Sequence, residues 1–393
     1  MDLVDRISGS SVLKPVALGE PTVGPDEAAA IAEVFESGWL AGNGPTSRRF
    51  EAALAELANS AHALAVSNCT AALHLAFMAL GAGPGDEVIV ADYTFPATGH
   101  AVMFTGAMPV FVDVRRDIWT LDPRLVEAAI TPRTVGIVGV DVFGQPADYD
   151  ELAAIAARHG LWLVEDAAAA AGATYKTRPA GSLADIGCFS FHGRKGITSG
   201  EGGAFATDRA DLDAIARKLH AFGISNPLDR AESDDLPVPE FDELGYNYKL
   251  SDIAAAIMLV QLGRLPDLLA KRVRVANAYT DGLADLEGVE TPVVAEGRTH
   301  VWQSYVLTLD PTINRGSVAR ALRQQGVQSN FGTYASHVQP LYGARQICPV
   351  SADLFGRHLA IPMHANLTDE EIARVTEAVR DSVMREQTTR IEK

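Results

Sequence analysis

Between residues 62 and 166, short runs rich in valine and alanine alternate with helical segments, and this alternation limits the fold more than any other feature. "HALAVS" leads into "NCTAALHLAFMALG". "EVIVAD", "PVFVDV" and "TVGIVGVDVFG" follow, then a helix through "ELAAIAARHG" and the run "LWLVEDA". Continuous apolar strands between helices predict a parallel sheet covered on both faces. The fold class is therefore α/β. Two amphipathic helices precede the sheet, at 24–38 and 47–59. After residue 207 the pattern changes. "LDAIARKLHAF" is helical, and the acidic, proline-rich 226–245 has no periodicity and reads as a surface loop, a lid or a dimer contact. A long helical stretch begins near Ser251, and Pro266 is expected to bend or split it. From about residue 285 the strand-like "QSYVLTL", the helix "GSVARALRQQG" and a final helix over 368–387 predict a smaller α+β unit. A chain of 393 residues exceeds one core. We place a large domain, with an N-terminal arm, at 1–260 and a small one at 261–393.

The formal net charge is −17, which argues against a nucleic-acid binder but leaves room for a local phosphate pocket. Cys69, Cys188 and Cys348 show no paired spacing, so neither zinc nor a disulfide framework is indicated, and no metal is expected. The N-terminus carries acids where a signal peptide would be apolar. No apolar run approaches the ~20 residues of a membrane span. These features fit a cytoplasmic enzyme.

Open parallel sheets bind ligands beyond the carboxyl ends of their strands. After "HALAVS" comes Ser67-Asn68-Cys69-Thr70, opening a helix. Free N–H groups there suit a phosphate, although the same residues also cap helices that hold no ligand. After "EVIVAD" comes Phe95, an aromatic able to stack on a planar ring or to serve in the core. After "LWLV" come Glu165 and Asp166; a buried acid needs a partner, such as a protonated ring nitrogen or the next helix's N-terminus. Then "CFSFHGRKG" presents Lys195 after a strand, with Arg194 able to lower its amine pKa. A phosphate, a flat ring, a nitrogen seeking a carboxylate and an aldehyde seeking an amine together describe pyridoxal 5′-phosphate (PLP).

These segments, with "DYTFPAT", "VEDAAAAAGATY", "FSFHGRKGITSGEGGA" and "ELGYNYKLSDIAAAI", resemble the DegT/StrS-type (DegT/DnrJ/EryC/StrS) sugar aminotransferases over nearly the whole chain. The resemblance implies the PLP fold type I, like aspartate aminotransferase, with a mostly parallel seven-stranded sheet between helices. It implies that Lys195 forms the Schiff base and carries protons, that Asp166 pairs with the pyridine nitrogen, and that Phe95 stacks on the ring. Cys69, Thr70 and Ser190 would bind the phosphate. Asn247 would reach the phosphate of a neighbouring subunit, making a homodimer with shared active sites. The implied reaction is ping-pong transamination from an amino acid, expected to be L-glutamate, to a keto-sugar nucleotide, expected to be an NDP-4-keto-6-deoxyhexose. Relatives that aminate keto-cyclitols are an alternative. Dehydratases that replace the lysine are disfavoured by Lys195. Three positions depart from the family pattern: Cys69 stands for Gly, Ala169 for Gln, and Lys249 for Arg. Lys218, His220, Tyr334, His337 and His364 are further candidates for nucleotide or sugar contacts.

Overall fold

The computed structural model describes residues 14–224, 240–343 and 346–391. Most of the acidic segment 226–245 therefore lies outside the described residues.

Seven strands form one sheet, in the spatial order His62–Val66, Gly203–Thr207, Ile186–Ser190, Trp162–Asp166, Thr134–Val140, Glu87–Ala91, Met108–Val112. Gly203–Thr207 runs antiparallel to both its neighbours, and the other pairs are parallel. Alternate residues feed opposite layers, as a period of two requires. Val90 and Val164 pack with the helix Cys69–Ala79, while Ile89, Ile137 and Leu163 pack with Tyr149 and Leu152 of the helix Tyr149–His159. Both faces are covered, which is why the strands read as unbroken apolar runs. A second, antiparallel sheet of Val289–Glu290, Tyr305–Leu309 and His358–Ile361 packs on the helices Asp252–Leu283 and Asp369–Ile391.

The first helix runs Pro25–Ser37, with Pro25 at its first position and Gly38 closing it at φ 72°. The second begins at Pro45, earlier than the periodicity indicates. The distant Asp252 carboxylate caps it, accepting from Thr46 N at 2.9 Å and Ser47 N at 3.0 Å.

Pro266 does not split its helix. One helix of 32 residues runs from Asp252 to Leu283. The proline removes one backbone hydrogen bond, but buried Leu265 and Leu268 lock the turn into the core beside Phe50, Leu54 and Phe189. By length and composition this helix is apolar enough to cross a membrane, with a window of mean hydropathy 1.5. Here it serves as a core helix, packed against the first two helices and the last.

A short antiparallel pair, Tyr93–Thr94 with Tyr334–Ala335, ties the C-terminal part of the chain to the large sheet just before Phe95. Two residues per strand are too few to leave a sequence pattern.

Candidate active site

Parallel pairing sets two strand ends level, with Val140 opposite Asp166, and places Asp166 opposite Cys188, two residues before Ser190 ends the next strand. Asp166 closes its strand with its side chain buried. Its Oδ2 accepts a hydrogen bond from Thr98 Oγ1 at 2.6 Å, and its Oδ1 accepts from Ala168 N at 3.2 Å. Burial pushes the Asp166 carboxyl up, against the pull of those two donors and of the Lys195 charge. Lys195 sits within electrostatic reach of Asp166 and Cys69. Burial is the main cause that pushes its amine down; Asp166 opposes it, and Arg194 adds a smaller push down. A lowered amine beside a raised acid is the environment of a reactive pair.

The cradle is built from backbone. Ser190 ends its strand opposite Gly203. A Cβ at Gly203 would lie 2.3 Å from Asn68 C and 2.5 Å from Cys69 N, so only glycine lets this strand touch the helix N-terminus. Asn68 caps that helix through Ala71 N at 2.9 Å. Cys69 opens the helix with its thiol buried and pushed up, mainly by burial, so it is no nucleophile; what it offers is its backbone N–H. Thr70 follows, half-buried. Phe95, one residue beyond the strand Tyr93–Thr94 and three before Thr98, is 60% exposed, with the Tyr334 ring edge-on at 6.1 Å. An exposed aromatic face, a buried carboxylate, a buried amine and a glycine-backed helix N-terminus fit a flat phosphorylated aldehyde.

The remaining candidates divide. Tyr334 joins the site through Phe95. His220 does not: it is buried, its Nε2 lies 3.0 Å from Asn43 Oδ1, and burial pushes it down to about 4. Lys218 spends its charge on Asp242 and Glu243 at the surface. His337 is held by Asp92, with Nδ1 at 2.7 Å and its backbone N–H on the other oxygen. Cys348 completes a cluster whose ligand-type atoms lie within 4.8 Å of one another, but the acid and the histidine there already satisfy each other. His364 is buried, with neither ring nitrogen partnered among the described residues. Asn247 is exposed and accepts from Lys249 Nζ at 2.6 Å, with no contact to Lys195 or Asp166 among the described residues. Thr98 was missed. Its signal was a second hydroxyl in "DYTFPAT", at the start of the helix Ala97–Phe104.

The DegT/DnrJ/EryC1/StrS aminotransferase family model matches residues 21–380. The spore coat polysaccharide biosynthesis protein SpsC of Bacillus subtilis (strain 168) is 37% identical, over 92% of this chain and 96% of that protein. DesI, solved in the presence of its TDP-sugar product, superposes with a TM-score of 0.87 at 36% identity, over 98% of this chain and 97% of that one. The putative sugar aminotransferase Spr1654 of Streptococcus pneumoniae, solved in its PLP form, has a TM-score of 0.88 at 26% identity, over 94% of this chain and 99% of that one. Sequence match, superposition and the built crevice agree: the chain belongs to the DegT/DnrJ/EryC1/StrS aminotransferase family and is a PLP-dependent transaminase of fold type I.

Proposed function

We propose that this enzyme moves an amino group from an amino acid, L-glutamate, to a keto-sugar nucleotide, an NDP-4-keto-6-deoxyhexose, in amino-sugar biosynthesis in the cytoplasm. The observation that carries the site assignment is that buried Asp166 and the Lys195 amine lie within electrostatic reach of each other, with Thr98 fixing the acid. The sugar-nucleotide acceptor is supported by the TDP-sugar product of DesI and by the polysaccharide role named for SpsC.

PLP, when bound, supplies an aldehyde and an electron-withdrawing ring. The protein's residues do the rest. Burial favours the neutral Lys195 amine, the form that would bond to an aldehyde and would take the substrate α-proton as a base. Asp166, buried with one donor on each oxygen, would hold the ring nitrogen protonated by charge. Ser190, Thr70 and the backbone N–H groups at Cys69 would hold the phosphate at the helix N-terminus. Phe95 would cover one ring face. Acceptor amination runs these proton movements in reverse.

The reading includes a large unit at 1–260 and a small one at 261–393, with the helix Asp252–Leu283 shared between them. It also includes a homodimer in which Asn247 reaches the neighbouring subunit's phosphate. Exposed Trp39, Leu40, Phe104, Phe222 and Leu244 support an interface around the Asn247 segment.

The test is the visible spectrum of the protein with PLP, before and after L-glutamate. A visible band that bleaches supports the donor half-reaction. A band that ignores glutamate removes glutamate as donor, and no band sinks the site. Product analysis then compares an NDP-4-keto-6-deoxyhexose with a keto-cyclitol, and turnover of the cyclitol alone would overturn the acceptor.

A further inference from the structure

The loop carrying Lys195 is held mostly by itself: Phe191 N donates to Gly202 O, Gly193 N to Gly200 O, and Lys195 N to His192 O. Among the described residues, two side chains from elsewhere reach its backbone. Gln261 Oε1 accepts from Thr198 N at 3.2 Å, and Gln303 Nε2 donates to the carbonyl of Arg194 at 3.1 Å. The second bond falls on the peptide unit that joins residue 194 to Lys195.

Gln303 is itself tightly placed. Its N–H donates to Phe143 O at 2.9 Å, and Val301 N donates to Gly144 O at 3.0 Å. Phe143 and Trp302 both occupy the left-handed region, at φ 58° and 53°, which is costly for bulky residues and persists where the surroundings over-determine it. Buried Arg272 donates to Trp302 O at 2.9 Å. A Cβ at Gly144 would meet Val301 Cγ2 at 2.6 Å, Ala169 O at 3.0 Å and Gln303 N at 3.4 Å, so this turn has no room to shift. Two residues beyond Gln303 the strand Tyr305–Leu309 of the small sheet begins.

We propose that Gln303 is a positioning residue for Lys195. Its amide holds the carbonyl of residue 194, which sets the direction in which the next side chain leaves the backbone, and it couples the small sheet to the lysine. This rests on Lys195 being the cofactor lysine.

The test compares the parent with Gln303→Ala, Gln303→Glu and Gln303→Lys at pH 8. Gln303→Glu keeps the shape but an ionised carboxylate cannot donate to a carbonyl; Gln303→Lys keeps a donor. Amide hydrogen exchange over residues 193–197 is read without added cofactor. The pH midpoint of the visible band is read with PLP. The Ala and Glu variants are expected to exchange about five-fold faster, as for one lost hydrogen bond, and to shift the midpoint, while the Lys variant stays near the parent. A Glu variant matching the parent in both readouts, or a Lys variant matching the Ala variant, overturns the proposal. A parent with no visible band overturns the reading of Lys195 itself; that failure is distinct, because the exchange comparison needs no cofactor.

Discussion

Glu165 and Asp166 are consecutive acids at the end of one strand, and they face opposite sides of the sheet. Glu165 is sealed. Its two oxygens accept from Gly181 N at 2.8 Å and Leu183 N at 3.0 Å. Beside it, Asp141 Oδ1 accepts from Tyr149 Oη at 2.7 Å, while no donor reaches Oδ2 among the described residues, which leaves Asp141 able to carry a proton towards Glu165. Burial first, and then the Glu165 charge, push the Asp141 carboxyl far up; burial pushes Glu165 up to about 7. The two carboxyls thus share a proton and close on themselves. Asp166 likewise takes one donor on each oxygen, from Thr98 Oγ1 and Ala168 N, but the charge within its reach is a lysine amine rather than a second carboxyl. The lesson is that burial alone does not make an acid functional. What separates the two is the group beside each: a second acid for Glu165, an amine for Asp166.

This contrast is open to breakage. The largest effect belongs to Lys195→Ala, which should lower transamination by about a thousand-fold or more and remove the visible band of the PLP-loaded protein. Turnover within ten-fold of the parent would place the chemistry elsewhere. Asp166→Asn removes the charge but keeps the shape, and a loss of about a hundred-fold in the glutamate half-reaction is expected, with melting temperature little changed. Glu165→Gln should do the opposite. One N–H of the 181–183 turn would face an amide N–H, costing about 1–3 kcal/mol of stability, while the rate per folded molecule holds. If the two variants behaved alike, the distinction between the faces would fail.

The shared proton also makes a pH prediction. Both folded carboxyls are raised, so between about pH 4 and 7 the folded chain binds a proton that the unfolded chain has released. The stability from this pair is complete below Glu165's ordinary value of 4.5 and is lost as the pH rises through about 7. Asp141→Asn supplies that proton permanently, so thermal denaturation at pH 8 should show it more stable than the parent by about 1–3 kcal/mol, with the gap closing towards pH 4. A constant gap would remove the shared proton from the account. The smallest effect is expected of Phe95→Ala: PLP affinity falls by up to about ten-fold, the scale of one aromatic contact, with the half-reaction rate at saturation nearly kept.

Much of this was legible in one dimension. The strand–helix alternation announced the sheet, because strands buried on both faces must be apolar throughout. The strand ends then located Asp166, Ser190, Cys69 and Lys195, because a parallel sheet brings its carboxyl ends to one edge. Other features depend on partners far away in the chain. Asp252 starts the helix at Pro45 from 206 residues on, packing keeps the helix through Pro266 whole, and burial takes His220 out of contention. Thr98 meets Asp166 across 68 residues, and Gln303 meets the lysine loop across 109. A sequence by itself carries periodicity and local chemistry, which are set by neighbours within a few residues. Which donor completes which buried acceptor is settled only when distant segments pack, because the cost of an unpaired buried group is felt only where water has been excluded.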